Sequence, residues 1–396
     1  LAEDANCRSK LKPSALQNGA SSVKVGADCS GIGVVLIALK NMGVNFRHTF
    51  DCDNCPEVQK TIHANHDPEI FYPNIQGRDV KEMPYTDVYV AGFPCQPFST
   101  MGKQEGFEDS QGRGTIFFDI LEYIRDKVPK VFILENVKRL VKINNGKDLK
   151  RMLKLLRQVK FQGKQAYIAK HRVMDTKEHG IPHSRPRWYC VAIRKDCKEA
   201  DSFTFPGIIK CPVIEKLLDD DETSSEFRST ANTVTNTMKV NINTAKRRIK
   251  ESGGNLDQPY VVDCDASKQK SHHMKNVSPC LTKSRSKGHW LIHKNRRTTI
   301  REMMRLQGID PDKFKQVVPD NVMGQQLGNA MSVNVVERIL VNALAAAGLT
   351  HKSCLKSSEQ HFSRWETGEG FNSIRPKASK SIFIPKAEAS KEEAIQ

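Results

Sequence analysis

Tyr89-Val90-Ala91-Gly92-Phe93-Pro94-Cys95-Gln96-Pro97-Phe98-Ser99 is an apolar run that stops at a glycine and then holds one cysteine between two prolines. Proline fixes its own φ at about −65° and pushes the residue before it toward extended geometry, so Phe93 and Gln96 are both restricted and Cys95 sits on a rigid loop. A loop at the carboxyl end of a parallel strand is where open α/β sheets hold their ligands. A thiol aimed from such a loop becomes a nucleophile once its surroundings favour the thiolate. The plainer reading is an inert cysteine buried in a proline-rich turn, and the neighbouring sequence decides against it.

Downstream, Val131-Phe132-Ile133-Leu134-Glu135-Asn136-Val137 is a second apolar run that ends in a carboxylate, the pattern of a buried parallel strand with Glu135 at its tip beside Cys95. Arg185 and Arg187 precede a further apolar strand at alternate positions, so they share a face and point at one anion together. Upstream, Asp28-Cys29-Ser30-Gly31-Ile32-Gly33 follows a first strand and opens a first helix, where small residues let a ligand approach backbone. Asp51 ends the second strand, a place for a carboxylate to accept ribose hydroxyls, and Asp79 precedes the next strand within reach of an adenine amino group. Strands are predicted at 23–25, 46–50, 88–91, 131–134 and 188–193, alternating with helices at 34–40, 57–65, 117–126 and 149–158. That alternation implies βαβ units and a parallel sheet. Helical periodicity returns at 299–306 and 333–346.

The chain has 396 residues, enough for one large α/β domain and a smaller one. Its net charge of +17 implies an anionic partner, for which nucleic acid is the commonest reason. Eleven cysteines lie without a framework spacing, and no apolar run of about 18 residues exists to span a membrane, which suits a reducing intracellular compartment. Cys52 and Cys55 form a lone Cys-x-x-Cys with no second ligand pair, so no metal is assigned. Residues 1–22 and 350–396 are polar and read as flexible tails around a folded body, and the first residue is Leu1, consistent with a processed or excerpted chain. The body divides into 23–196, a polar Lys- and Asn-rich stretch at 197–290, and a return to the first domain at 291–349.

These motifs in this order resemble those of the cytosine-5 DNA methyltransferase family, over roughly residues 23 to 345. The resemblance implies a Rossmann-like α/β fold that binds S-adenosylmethionine, with 197–290 as a smaller, irregular target recognition domain. It implies a monomer acting on double-stranded DNA. Cys95 would attack carbon 6 of a flipped-out cytosine, Glu135 bind N3 and the exocyclic amine, Arg185 hold the O2 side, Arg187 support the carboxylate or backbone, and Asn136 fix the loop. His183 stands where the family commonly has Gln, and 104–114 would be a mobile closing loop. The cofactor residues implied are Asp28, Cys29, Ser30, Gly31, Ile32, Gly33, Asp51, Asp79, Pro94, Ile116 and Asn329. Ala27 stands at the place of the family's acid and Cys29 at that of its aromatic residue, a departure within the glycine loop. Arg247, Arg248, Lys283, Arg285 and Lys287 are the candidate DNA contacts. Two rivals stand beside this reading. A tRNA cytosine-5 methyltransferase has a Cys-Phe-Thr signature that Cys280-Leu281-Thr282 resembles, but typically Pro-Pro-Cys where this chain has Phe93-Pro94-Cys95. A catalytically silent nucleic-acid-binding relative is favoured only by the irregular glycine loop. The basic tails suggest a nucleus.

Overall fold

The computed structural model describes residues 22–94, 116–220, 234–349 and 363–376. The amino half runs β1 (Val23–Asp28), α1 (Val34–Asn41), β2 (Phe46–Cys52), α2 (Pro56–Asn65), β3 (Ile70–Tyr72), β4 (Val88–Ala91), α3 (Ile116–Lys127), β5 (Val131–Val137) and α4 (Lys147–Arg157). There follow the short β6 (Lys160–Phe161) and β7 (Lys164–Gln165), then β8 (Tyr167–Asp175) and β9 (Pro186–Arg194). The remainder is α5 (Asn236–Glu251), β10 (Tyr260–Val262), β11 (His273–Lys275), β12 (Trp290–Leu291), β13 (Arg296–Arg297), α6 (Ile300–Leu306), α7 (Asp320–Asn329), α8 (Val333–Ala346) and α9 (Glu369–Ile374).

Seven strands form one sheet in the order β3-β2-β1-β4-β5-β9-β8. Alternate residues of each central strand enter opposite layers. Val88, Val90, Val131 and Ile133 pack with α1 and α8, whereas Tyr89, Ala91, Phe132 and Leu134 pack with α3 and α4. Both faces are therefore covered, which is why these strands read as continuous apolar runs rather than alternating ones.

The expectation of a parallel sheet holds from β3 to β5 and fails beyond it, because β9 pairs antiparallel with β5 and β8 antiparallel with β9. The ten residues between β8 and β9 hold no crossover helix, so the two strands must run in opposite directions. The reversal sets Arg187 opposite Val137 and Tyr189 opposite Glu135. The start of β9 thus lies at the carboxyl ends of the parallel strands.

The stretch expected to be one irregular domain is more ordered and differently divided. Ala200, Phe203, Ile214 and Leu217 join the main core, while α5 packs Met238, Ile242, Ala245 and Ile249 against Tyr260, Val262, Trp290 and Ile292. Its antiparallel sheet, ordered β11-β10-β12-β13, continues to Arg297. The expectation of a flexible tail from residue 350 also needs correction. Trp365, Phe371 and Ile374 are buried in the main core, and Arg364 pairs with Glu337 at 2.8 Å, so three apolar anchors in a polar stretch dock residues 363–376 on α8. Among the described residues no helix is long and apolar enough to cross a membrane.

Candidate active site

At the carboxyl ends of β1, β2, β4 and β5 lies a cavity of about 390 Å³. Its first wall is the turn between β1 and α1. Cys29, Gly31 and Gly33 all have positive φ, at 49°, 56° and 73°, so the chain turns tightly into α1. A Cβ on Gly33 would come within 2.6 Å of His66 Nε2, which leaves glycine as the residue that fits. The Gly31 N–H donates to Asp53 Oδ2 at 3.1 Å, and the Cys55 N–H to Asp53 Oδ1 at 3.0 Å.

Of the residues proposed from the sequence as cofactor contacts, Cys29, Ser30, Gly31, Pro94, Ile116 and Asn329 line this cavity. Asn329 is the last residue of α7. Ile32 is instead buried in the core, and Gly33 caps α1. Asp28 turns away from the cavity. Its carboxylate takes a bidentate pair from Arg78 at 2.7 and 2.8 Å and the Tyr89 hydroxyl at 2.5 Å, with no exposure to solvent. Asp51 is equally buried, 3.2 Å from His48 Nε2, and burial raises its pKa. Asp79 accepts from the Lys81 N–H at 2.9 Å on an exposed turn. Among the described residues the aspartate that lines the cavity is Asp53, which the sequence reading passed over. Ending β2 at Phe50 placed the turn two residues early, and the strand in fact runs to Cys52.

The opposite wall carries Glu135, Arg185 and Arg187. Glu135 is 7% exposed, and burial raises its pKa against the opposing pull of Arg187 and Arg185. Arg187 Nε stands 3.2 Å from Glu135 Oε1. The register of the antiparallel strand brings the two together.

Arg185 is 1% exposed and is bound into backbone: its guanidinium donates to Leu281 O, to Gly328 O at 3.0 Å and to Ala330 O at 2.6 Å. The expected support of the carboxylate would place Arg187 beside Glu135, where it stands, whereas Arg185, expected at the O2 side of the base, is bound to backbone. Arg187 is the arginine beside the carboxylate, and Arg185 clamps the segments around it. The Asn136 amide donates to Phe93 O at 3.3 Å, two residues before Cys95, and accepts from the Val137 N–H at 2.8 Å. Cys95 itself and the loop 104–114 lie outside the described residues.

His183 is fully buried. Its Nε2 accepts from the Leu281 N–H at 3.0 Å, so Nδ1 carries the proton that bonds Leu306 O at 3.0 Å, and one ring ties three segments together. Burial and Arg185 push its pKa well below the usual value. Cys280 Sγ sits 3.6 Å from Arg185 and 3.7 Å from Arg187. Burial alone would raise this thiol, and the two guanidinium groups outweigh it and lower its pKa.

The candidate DNA contacts separate. Arg247 and Arg248 are exposed on α5, and Lys287 is exposed on its loop. Arg285 is paired with Asp263, its Nη2 lying 3.1 Å from Oδ2, and Lys283 lines the cavity. Among the described residues no group of three or more His, Cys, Asp or Glu side chains is arranged to hold a metal ion.

The chain matches the family described as C-5 cytosine-specific DNA methylase over residues 28–344. It is 31% identical over 319 residues to the type II methyltransferase M.NgoBI of Neisseria gonorrhoeae, covering 78% of this chain and 89% of that protein. To the type II methyltransferase M.HhaI of Haemophilus parahaemolyticus it is 29% identical over 324 residues, 79% of this chain and 91% of the other. In fold it is similar to the Entamoeba histolytica methyltransferase EhMeth, with TM-score 0.58 at 19% identity over 84% of this chain and 100% of that one. It is likewise similar to the S. pombe Dnmt2 methyltransferase, with TM-score 0.54 at 17% identity over 82% and 99%. The bacterial relatives give the expectation of a nucleus no support, and a match to a DNA family does not favour the tRNA alternative. With the family's motifs in order on a Rossmann-like sheet, and a match spanning most of its length, the chain belongs to the C-5 cytosine-specific DNA methylase family, whose methyl donor is S-adenosylmethionine.

Proposed function

We propose that the protein methylates carbon 5 of cytosine in double-stranded DNA as a monomer, with Cys95 as nucleophile and the target base flipped into the cavity. The body formed by 23–218 and 298–349 is the catalytic domain, and the unit of α5 and β10–β13 between them is the target recognition domain. The observation that carries this reading is one continuous cavity that joins the glycine turn and Asp53 to the Glu135–Arg187 pair.

The cavity suits S-adenosylmethionine, since the glycine turn lets a ligand approach backbone and Asp53 offers a carboxylate fixed by two backbone bonds for ribose hydroxyls. When bound there, it supplies an electrophilic methyl group. Cytosine carbon 5 is too weak a nucleophile unaided, and addition of the Cys95 thiolate to carbon 6 makes it one. Negative charge then develops on the ring. A carboxyl whose pKa is raised by burial holds its proton better than an exposed one, so Glu135 is suited to donate at N3, and Arg187 keeps it oriented. Asn136 holds Phe93 and through it the loop that carries the thiol. Loss of the carbon 5 proton finally expels the thiolate. No group at the cavity floor reaches a base inside a duplex, so the base leaves the stack at a cost of a few kcal/mol.

The test is transfer of labelled methyl groups from S-adenosylmethionine to duplex DNA and to total tRNA, side by side, with Cys95→Ser as control. Label in DNA that is lost in the variant is expected. Label confined to tRNA, or persisting in Cys95→Ser, would overturn the proposal.

A further inference from the structure

We infer that Lys283, carried by the smaller domain, is a cofactor-binding residue whose ammonium pairs with the carboxylate of S-adenosylmethionine. This rests on reading the cavity as the cofactor's. Lys283 opens the turn Lys283–Arg285 between β11 and β12, and it lines the cavity together with Gly31, Asp53 and Asn329. Its side chain is exposed to solvent on one side and borders the cavity on the other.

The backbone around it is held on three sides. Two glycines one helical turn apart on α7, Gly324 and Gly328, leave a groove into which residues 282–286 settle. A Cβ at Gly324 would come within 1.9 Å of Ser286 O, and one at Gly328 within 2.5 Å of the Lys283 backbone nitrogen. The Arg185 guanidinium bridges Leu281 O and Gly328 O, and His183 accepts from the Leu281 N–H at 3.0 Å. Nothing of this needs a ligand to form.

Charge singles out the lysine. Arg185, Arg187 and Lys283 are the cationic side chains lining the cavity among the described residues, and the first two are engaged with backbone carbonyls and with Glu135. Lys283 has no ion-pair partner among the described residues. Burial pushes the Asp53 carboxyl up, and the backbone N–H groups of Cys55 and Gly31, and then Lys283, pull it back. S-adenosylmethionine carries positive charge on its sulfonium and amino groups, and its carboxylate is the only anionic group. An ammonium at the cavity wall forms its charge pair with that carboxylate, the one anionic group the molecule offers.

The test is calorimetric titration, without DNA, of S-adenosylhomocysteine and of 5′-methylthioadenosine, which lacks the amino-acid portion. Wild type, Lys283→Ala, Lys283→Arg and, as a charge-matched control on α5, Lys250→Ala are compared. Lys283→Ala is expected to bind S-adenosylhomocysteine roughly threefold to tenfold more weakly, the scale of one partly exposed ion pair, with 5′-methylthioadenosine unchanged. Lys283→Arg retains affinity, and Lys250→Ala matches wild type. Unchanged S-adenosylhomocysteine affinity in Lys283→Ala would overturn the inference, and if duplex binding weakened instead, Lys283 would be the DNA contact its sequence suggests. Equal loss for both ligands would also overturn it, since the side chain would then act through shape. Failure of the wild type to bind S-adenosylhomocysteine would be a different result, removing the cofactor reading of the cavity.

Discussion

The floor of the cavity and the outer face of α5 both present charged side chains, and they hold them in opposite ways. Glu135, Arg185 and Asn136 are each less than 8% exposed and fixed by partners on other strands and loops. On α5 the Arg247 side chain is 68% exposed, and its one recorded pair is with Glu251, a turn away at 3.9 Å. Groups that stabilise developing charge act best when their positions are set before the substrate arrives. Groups that meet a phosphate backbone tolerate disorder, because the field acts over several ångströms and the side chain settles on contact. The difference predicts which substitutions damage rate, which damage the fold and which damage only affinity.

The largest effect belongs to the cavity floor. Glu135→Gln keeps the shape and removes the transferable proton, and single-turnover methyl transfer is expected to fall by about a hundredfold to ten-thousandfold with duplex affinity little changed. An unaltered rate would mean that the buried carboxyl is only a strut for Arg187.

Next come the two arginines, alike in sequence and unlike in setting. Arg185→Ala leaves the carbonyls of Leu281, Gly328 and Ala330 without their donor, and urea unfolding should report a loss of about 3–5 kcal/mol. Arg187→Ala should cost distinctly less stability and far more rate. If the two variants behave alike, the division into clamp and active-site arginine is wrong.

The buried histidines give a smaller and pH-dependent effect. Burial, helped by Lys40, Arg338 or Arg185, drives His66 and His179 down to about 3 and His183 well below its usual value, while burial takes His289 down to about 4. Below about pH 6.5 the unfolded chain takes up these protons and the native state does not, so stability falls on acidification, by about 1.4 kcal/mol per pH unit for each group. Burial acts in the other sense on Asp51, Glu135 and Glu337, whose raised carboxyls favour the native state in acid. His183→Gln separates the two contributions, because an amide can accept from the Leu281 N–H and donate to Leu306 O as the ring does. Its urea midpoint should match wild type near pH 7 and decline less steeply between pH 6 and pH 4.5. An unchanged acid slope would show that His183 is protonated in the native state.

Most of the sheet and the motif residues at its carboxyl end were legible because a buried parallel strand is apolar throughout and stops abruptly where the chemistry starts. Val88–Ala91 and Val131–Val137 announce themselves in this way. Direction was not legible, since a run such as Trp188–Ile193 looks the same running either way, and the pairing of Arg187 with Glu135 depends on β9 being antiparallel. Nor was the aim of single carboxylates. Asp51 and Asp53 stand two positions apart and only the true end of β2 separates them, while Asp28 at the end of β1 is turned to Arg78. Trp365 and Phe371 stand too far apart in a polar stretch to form a period, so their docking on α8 left no pattern to read.

The smallest effect lies on α5 and tests the other half of the contrast. Arg247 and Arg248 are exposed, and neither reaches the cavity floor. If they neutralise backbone phosphates, each substitution by Ala releases one fewer counterion when DNA binds, and the slope of log affinity against log salt should shrink by about one per arginine. Stability and the rate at saturating DNA should stay near wild type, since no other side chain depends on theirs for its position. The loss should be the same for every duplex sequence, because a phosphate contact carries no base information. A loss confined to one target sequence would place these arginines on base edges. The outer face of α5 would then need the fixed geometry of the cavity floor, and the contrast between the two regions would fail.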